Sequence, residues 1–148
     1  MPNPYPFTSG QILTAAQMNG IGEAIAFTPT ITSGGTFTIG NGTLSGRYMR
    51  VNTLVVVEYL LVWGSTTTDT GTAEWQFSVP VAVGGSTIAG GGGGIILDAG
   101  ATYYRCTAAL ASGKVVFQGN DSGNRILKTV PMTWATNDVL QAVVSYEA

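Results

Sequence analysis

Residues Leu54 to Trp63 read LVVVEYLLVW. Successive side chains on a β-strand point to opposite faces. One face therefore carries Leu54, Val56, Glu58, Leu60 and Val62, and the other Val55, Val57, Tyr59, Leu61 and Trp63. Both faces are apolar, with Glu58 the single charge. An antiparallel sheet with one wet face alternates apolar and polar residues, so this pattern predicts a strand covered on both sides. One cover is the domain core; the other must come from the N-terminal helix or from another subunit. We assign the intersubunit face to Val57, Tyr59 and Leu61, joined by Tyr146 from the weaker final strand VLQAVVSYEA.

Composition points the same way. A chain of 148 residues and 15.3 kDa holds one domain. Charged residues make up 9%, against roughly 25% in an ordinary soluble chain, while 45% are hydrophobic. Charge keeps protein surfaces apart in water, so a chain this poor in it is expected to hide surface by assembling. The net charge is −2 and the six Lys and Arg residues are dispersed, which leaves no footprint for a phosphate backbone and argues against nucleic-acid binding. No apolar run approaches the ~20 residues of a membrane span, and the start MPNPYPFTSG lacks the basic-then-apolar order of a secretory signal. The lone Cys106, in ATYYRCTAAL, reads as a small buried hydrophobe.

The chain divides into an N-terminal attachment segment, 1–26, and a β domain, 27–148. Pro2, Pro4 and Pro6 impose an extended lead-in. Thr14 and Gln17 then have the spacing of a capping box and predict a short helix. Leu13, Met18, Ile21 and Ile25 form its apolar stripe, but Gly20 and Gly22 each weaken it by about 1 kcal/mol relative to Ala. Such a helix needs a surface to lie against.

From Phe27 onward, runs of β-branched and aromatic residues separated by Gly, Asn, Asp and Ser predict strands at 27–32, 35–39, 43–51, 54–63, 73–79, 95–98, 102–110, 113–118, 126–133 and 139–146. This is the spacing of an antiparallel β-sandwich. Asn52 and Thr53 supply a tight reversal. The run Gly90–Gly94 reads as a surface loop, since no helix or Lys-Ser/Thr pair follows it to cradle a phosphate. QGNDSGNR reads as a polar turn, without the alternating ligands of a calcium loop.

Catalytic chemistry finds little to work with. There is no histidine, so the commonest base and metal ligand are missing, and Cys106 has no imidazole to activate it. One Cys without His cannot complete a zinc site. Neither a cofactor nor a metal is expected. Asp69, Asp98, Asp121 and Asp138 lie in turn contexts, where Asp caps backbone N–H groups. Glu58 would be costly to bury alone, so Arg47 or Arg50 on the preceding strand is expected to pair with it.

Four stretches carry a family resemblance: FTSGQILTAAQMNGIGEAI; GNGTLSGRYMRVNTLVVVEYLLVWGSTTT, opening on Gly40, Asn41, Gly42, Thr43, Gly46 and Tyr48; WQFSVPV; and VPMTWATNDVLQAVVSYEA. In these the chain resembles small virion proteins of tailed bacteriophages, especially those infecting actinobacteria. Such proteins are usually called minor tail proteins, and similar modules end tail fibres or decorate heads. The resemblance implies a jelly-roll sandwich similar to the trimeric heads of tumour necrosis factor and complement proteins, hence a homotrimer. Almost nothing precedes GQILTAAQMN, which points to a compact knob docked on another virion component through Phe7, Ile12, Leu13, Met18, Ile21 and Ile25. The expected role is that of a non-enzymatic minor tail or tail-tip protein, with the far loops facing the host surface. Capsid decoration by the same fold is one alternative. A cell-wall carbohydrate-binding module is another, with Trp63, Trp75, Trp134, Tyr103 and Tyr104 as ring-stacking candidates.

Overall fold

A computed structural model of the chain describes residues 8–84, 91–119 and 123–148. After the single short helix α1 (Ala15–Asn19), every element is a strand: β1 (Ile25–Phe27), β2 (Ile31–Thr32), β3 (Phe37–Thr38), β4 (Thr43–Val51), β5 (Leu54–Val62), β6 (Thr68–Asp69), β7 (Gln76–Phe77), β8 (Gly91–Asp98), β9 (Thr102–Ala111), β10 (Lys114–Gly119) and β11 (Val139–Glu147). The capping box forms as its spacing predicts: the Thr14 hydroxyl accepts from the Gln17 N–H at 3.2 Å, and the Thr14 N–H donates to Gln17 Oε1 at 2.9 Å. No side chain of α1 is buried. No described helix is long and apolar enough to cross a membrane.

β4 and β5 form the expected hairpin, with Asn52 taking the left-handed conformation (φ 55°) that its turn needs and that Asn tolerates. Around it grows one antiparallel sheet in the order β1-β4-β5-β11-β8-β9-β10-β7-β2, with β3 and β6 as a separate pair. The first and last strands of this order are joined in sequence by Thr28, Pro29 and Thr30 alone. The Thr30 N–H donates to Ser78 Oγ, and Thr30 O accepts from the Ser78 N–H, both at 2.9 Å. The sheet therefore curls on itself around one core, as a β-sandwich does.

That core corrects the face assignment made from sequence. Val57, Tyr59 and Leu61 are fully buried and Tyr146 is 3% exposed within a single chain. They pack with Phe77, Ile96, Phe117 and Leu140 in the interior and are not surface for another subunit. Tyr59 donates to Ser78 O at 3.0 Å and Tyr146 to Val81 O at 2.8 Å. Burial raises the pKa of both phenols, which keeps them as donors. The other face of β5 is the uncovered one.

Further differences have local causes. The first strand begins at Ile25, opposite Tyr48, two residues before the strand expected from Phe27. Residues 126–133 are not a strand; a Leu127–Val130 bridge and the cis Val130–Pro131 bond turn the chain there. The glycine run is not a loop over Gly91–Gly94, which open β8. A Cβ on Gly92 would collide with the backbone of Val143 and Val144, and one on Gly94 with Gln141 and Ala142, so glycine is what lets β8 lie this close to β11. The expected turn at 120–122 and Gly90 lie outside the described residues.

Candidate interaction face

The outward face of β4, β5, β11, β8 and β9 is a plate whose rows are fixed by register. One row reads Thr43, Val62, Val139, Leu97, Tyr103; the next Ser45, Leu60, Gln141, Ile95, Arg105; the next Arg47, Glu58, Val143, Gly93, Thr107. Met49 and Val56, then Val51 and Leu54, continue it toward the hairpin tip. Leu54, Ile95 and Val143 are about half exposed, and Met49 and Val51 only slightly less. Tyr103, at 69%, is the most exposed large apolar side chain of the plate. Exposed apolar side chains gathered on one sheet face are a candidate contact surface.

Near the β4 side of the plate, Arg47 Nη2 donates to Glu58 Oε2 at 2.8 Å, and Gln141 Nε2 reaches Glu58 Oε1 at 3.4 Å. The hydrogen bonds from Arg47 and then Gln141 lower the Glu58 pKa. Arg50, the other expected partner, sits on the opposite face of β4 and donates its Nε to Asn52 O at 2.7 Å. Two hollows flank the ion pair. The larger, about 560 Å³, is walled by Ala26, Phe27, Thr28, Ser45, Gly46 and Leu60; the smaller, about 310 Å³, by Ala24, Tyr48, Met49, Val56 and Val143; Arg47 and Glu58 line both.

The N-terminal candidates do not close over these hollows. Ile12 is 88% exposed, Leu13 and Met18 are exposed, and Ile21 and Ile25 are half-buried; Phe7 lies outside the described residues. The tryptophans considered for sugar stacking are buried. Trp63, Trp75 and Trp134 are 8%, 1% and 6% exposed. They stack together at one end of the core, with ring centroids 5.8 Å apart for Trp63–Trp75 and 4.9 Å for Trp75–Trp134. Tyr103 alone of the five candidates is freely accessible, Tyr104 being half-buried.

Three of the motifs that carry the resemblance, GNGT, WGSTTT and TWATND, meet beside that tryptophan stack. Asn41 Oδ1 accepts from the Thr66 N–H and hydroxyl at 2.9 Å each, while the Asn41 N–H donates to Thr66 Oγ1 at 2.8 Å. Thr67 Oγ1 accepts from the Gly64 N–H and donates to Ile39 O. GNGT and WGSTTT are thus two halves of one polar clasp. In TWATND, Asp138 accepts from the N–H groups of Ala135 and Ala99 at 2.6 and 2.8 Å, and the Asn137 N–H donates to Trp63 O. Asp69 plays the matching part, accepting from Trp75 Nε1 at 2.7 Å, from Ser33 Oγ at 2.5 Å and from the Gly71 N–H at 2.8 Å. These residues hold the fold together.

Sequence reasoning missed a second ion pair, Arg125 with Glu74, because the partners are 51 residues apart. Cys106 is buried, which pushes its thiol pKa up to about 11 and keeps it protonated at neutral pH. No protein-family model, curated protein or solved structure matches the chain.

Proposed function

We propose that this chain is a non-enzymatic structural module of a bacteriophage virion: a homotrimeric knob of jelly-roll type, attached to the tail by its N-terminal segment. The observation that carries the self-assembly is the outward side of β4, β5, β11, β8 and β9, where Val62, Val139, Leu97 and Tyr103 share one row, Met49, Val51, Leu54 and Val56 share the hairpin tip, and Leu54, Ile95, Val143 and Tyr103 are about half exposed or more. Five strands at about 4.8 Å and nine residues at about 3.4 Å give roughly 700 Å², close to the ~800 Å² per partner of a standard interface. Low charge and the exposed Ile12, Leu13 and Met18 support the same reading, the latter as the docking contact with another virion protein. The non-sequential neighbours β5–β11 and β10–β7 support a jelly-roll winding.

The thiol of Cys106 is buried, with its pKa raised by that burial, and the sequence has no histidine, which favours a structural over a chemical role. Placement on the capsid instead of the tail would change the partner and copy number, not the plate. The test is the mass in solution by light scattering at micromolar concentration. Three times 15.3 kDa is expected; a stable single chain refutes the reading.

A further inference from the structure

The sequence holds two Asn–Gly pairs, Asn19–Gly20 and Asn41–Gly42. In such a pair the backbone nitrogen of the glycine can attack the asparagine side-chain amide, because glycine brings no Cβ to obstruct the approach. The fold treats the two pairs oppositely. At Asn41 both reacting groups are held: Oδ1 is clasped by Thr66, Nδ2 donates to Ser65 Oγ at 3.0 Å, and the Gly42 N–H donates to Ile39 O at 2.9 Å. A Cβ on Gly42 would collide with Val62 O and the Gly64 nitrogen, so the backbone there has no room to swing. At Asn19 little is held. Its side chain is exposed and, among the described residues, makes no hydrogen bond. The Gly20 N–H donates to Ala16 O at 3.1 Å as the closing bond of α1, and a five-residue helix with no buried side chain opens at little cost.

We propose that Asn19 is a site of spontaneous modification, converting to aspartate and isoaspartate, while the clasp protects Asn41. When the end of α1 opens, the Gly20 nitrogen bonds to Asn19 Cγ, the Cγ–Nδ2 bond breaks, and the Gly20 proton leaves with the amide nitrogen as ammonia. Water then opens the succinimide ring at either carbonyl, giving aspartate or isoaspartate. One water is consumed and one ammonia released, with no oxidant or reductant. A neutral amide becomes a carboxylate, which takes the net charge from −2 to −3. Isoaspartate also routes the main chain through the side chain, so the last turn of α1 cannot re-form unchanged. The change falls beside the exposed Met18, ahead of the first strand. Nothing in this chemistry depends on the assembly put forward above.

The test compares the full chain aged at mildly alkaline pH in its native state and in guanidinium chloride. Cleavage after Glu23 separates the two pairs. Tandem mass spectrometry then reads amide-to-acid conversion in each peptide, and labelling by isoaspartyl methyltransferase counts isoaspartate. Folding is expected to slow conversion at Asn19 by less than about tenfold and at Asn41 by more than about tenfold, since protection follows the cost of local opening. Gly20→Ala, which puts a Cβ in the path of attack, is expected to slow Asn19 several-fold in guanidinium chloride and to leave Asn41 unchanged. Folding that slows Asn19 by more than about tenfold overturns the site. Folding that slows Asn41 by less than that overturns the clasp as its protection. A rate at Asn19 unaffected by Gly20→Ala overturns attack by the Gly20 nitrogen.

Discussion

Leu60 and Leu61 are chemically identical neighbours on β5 that face opposite ways, so truncating each in turn separates folding from assembly. Leu61 is fully buried. Replacing it with Ala removes transfer energy and leaves a cavity that the packed interior cannot collapse, which costs about 2–5 kcal/mol. For a chain of this size 1 kcal/mol is about 2–4 °C, so the melting temperature should fall by about 4–20 °C. Leu60 is half-buried on the open plate, where no cavity can form. At about 0.8 kcal/mol per fully buried carbon, Leu60→Ala loses only about 1 kcal/mol from the single chain. Its larger effect is expected on the association proposed above. Unfolding of an assembled protein shifts with concentration by mass action, so wild type and Leu61→Ala should both show a concentration-dependent urea midpoint, and Leu60→Ala a weakened dependence. The assay is fluorescence of the tryptophan stack during urea denaturation over a hundredfold concentration range. Equal losses for the two variants in the dilute limit, or the reverse order, would refute the assignment of faces.

Three further expectations concern the scaffold. Trp75→Phe keeps the aromatic stack but deprives Asp69 of its indole donor; a loss of about 1.5–3 kcal/mol is expected in urea denaturation, as for other hydrogen bonds to a charged group. Gly94→Val should abolish soluble folded protein, judged by circular dichroism, whereas the same change at Gly91, where a Cβ meets nothing, should be tolerated. Glu58 and Glu74 have folded pKa values lowered chiefly by hydrogen bonds from Arg47 and Arg125. Their contribution is present above the unfolded value of about 4.3 and is lost as pH falls through the lowered folded values. After screening at these partly exposed sites it amounts to at most about 1 kcal/mol each, so the double variant Glu58→Gln/Glu74→Gln should show a shallower stability loss below pH 4.5 than wild type.

The sequence made local structure legible and orientation illegible. Thr14 with Gln17 and Asn52 with Thr53 are short-range devices whose spacing decides the outcome, and both form. The Arg47–Glu58 pair follows from the hairpin register, which also excludes Arg50 by parity. Period 2 shows that β5 has two apolar faces but not which one turns inward, because that depends on β11, β7 and β10 arriving from distant parts of the chain. The choice of Val57, Tyr59 and Leu61 as outer surface failed for that reason. Gly92 and Gly94 defeated propensity, since the demand for glycine there comes from the neighbouring backbone of β11 and leaves no trace in the run itself. The tryptophan stack is likewise a meeting of Trp63, Trp75 and Trp134 that no local spacing announces.

The curl that brings β1 and β2 to the ends of one short segment has a colloidal consequence. Among the described residues the nine-stranded sheet ends on a three-residue strand and a two-residue strand, each too short to template the addition of foreign strands. In a polypeptide with little electrostatic repulsion, such short ends limit the free backbone that fibrillar growth needs.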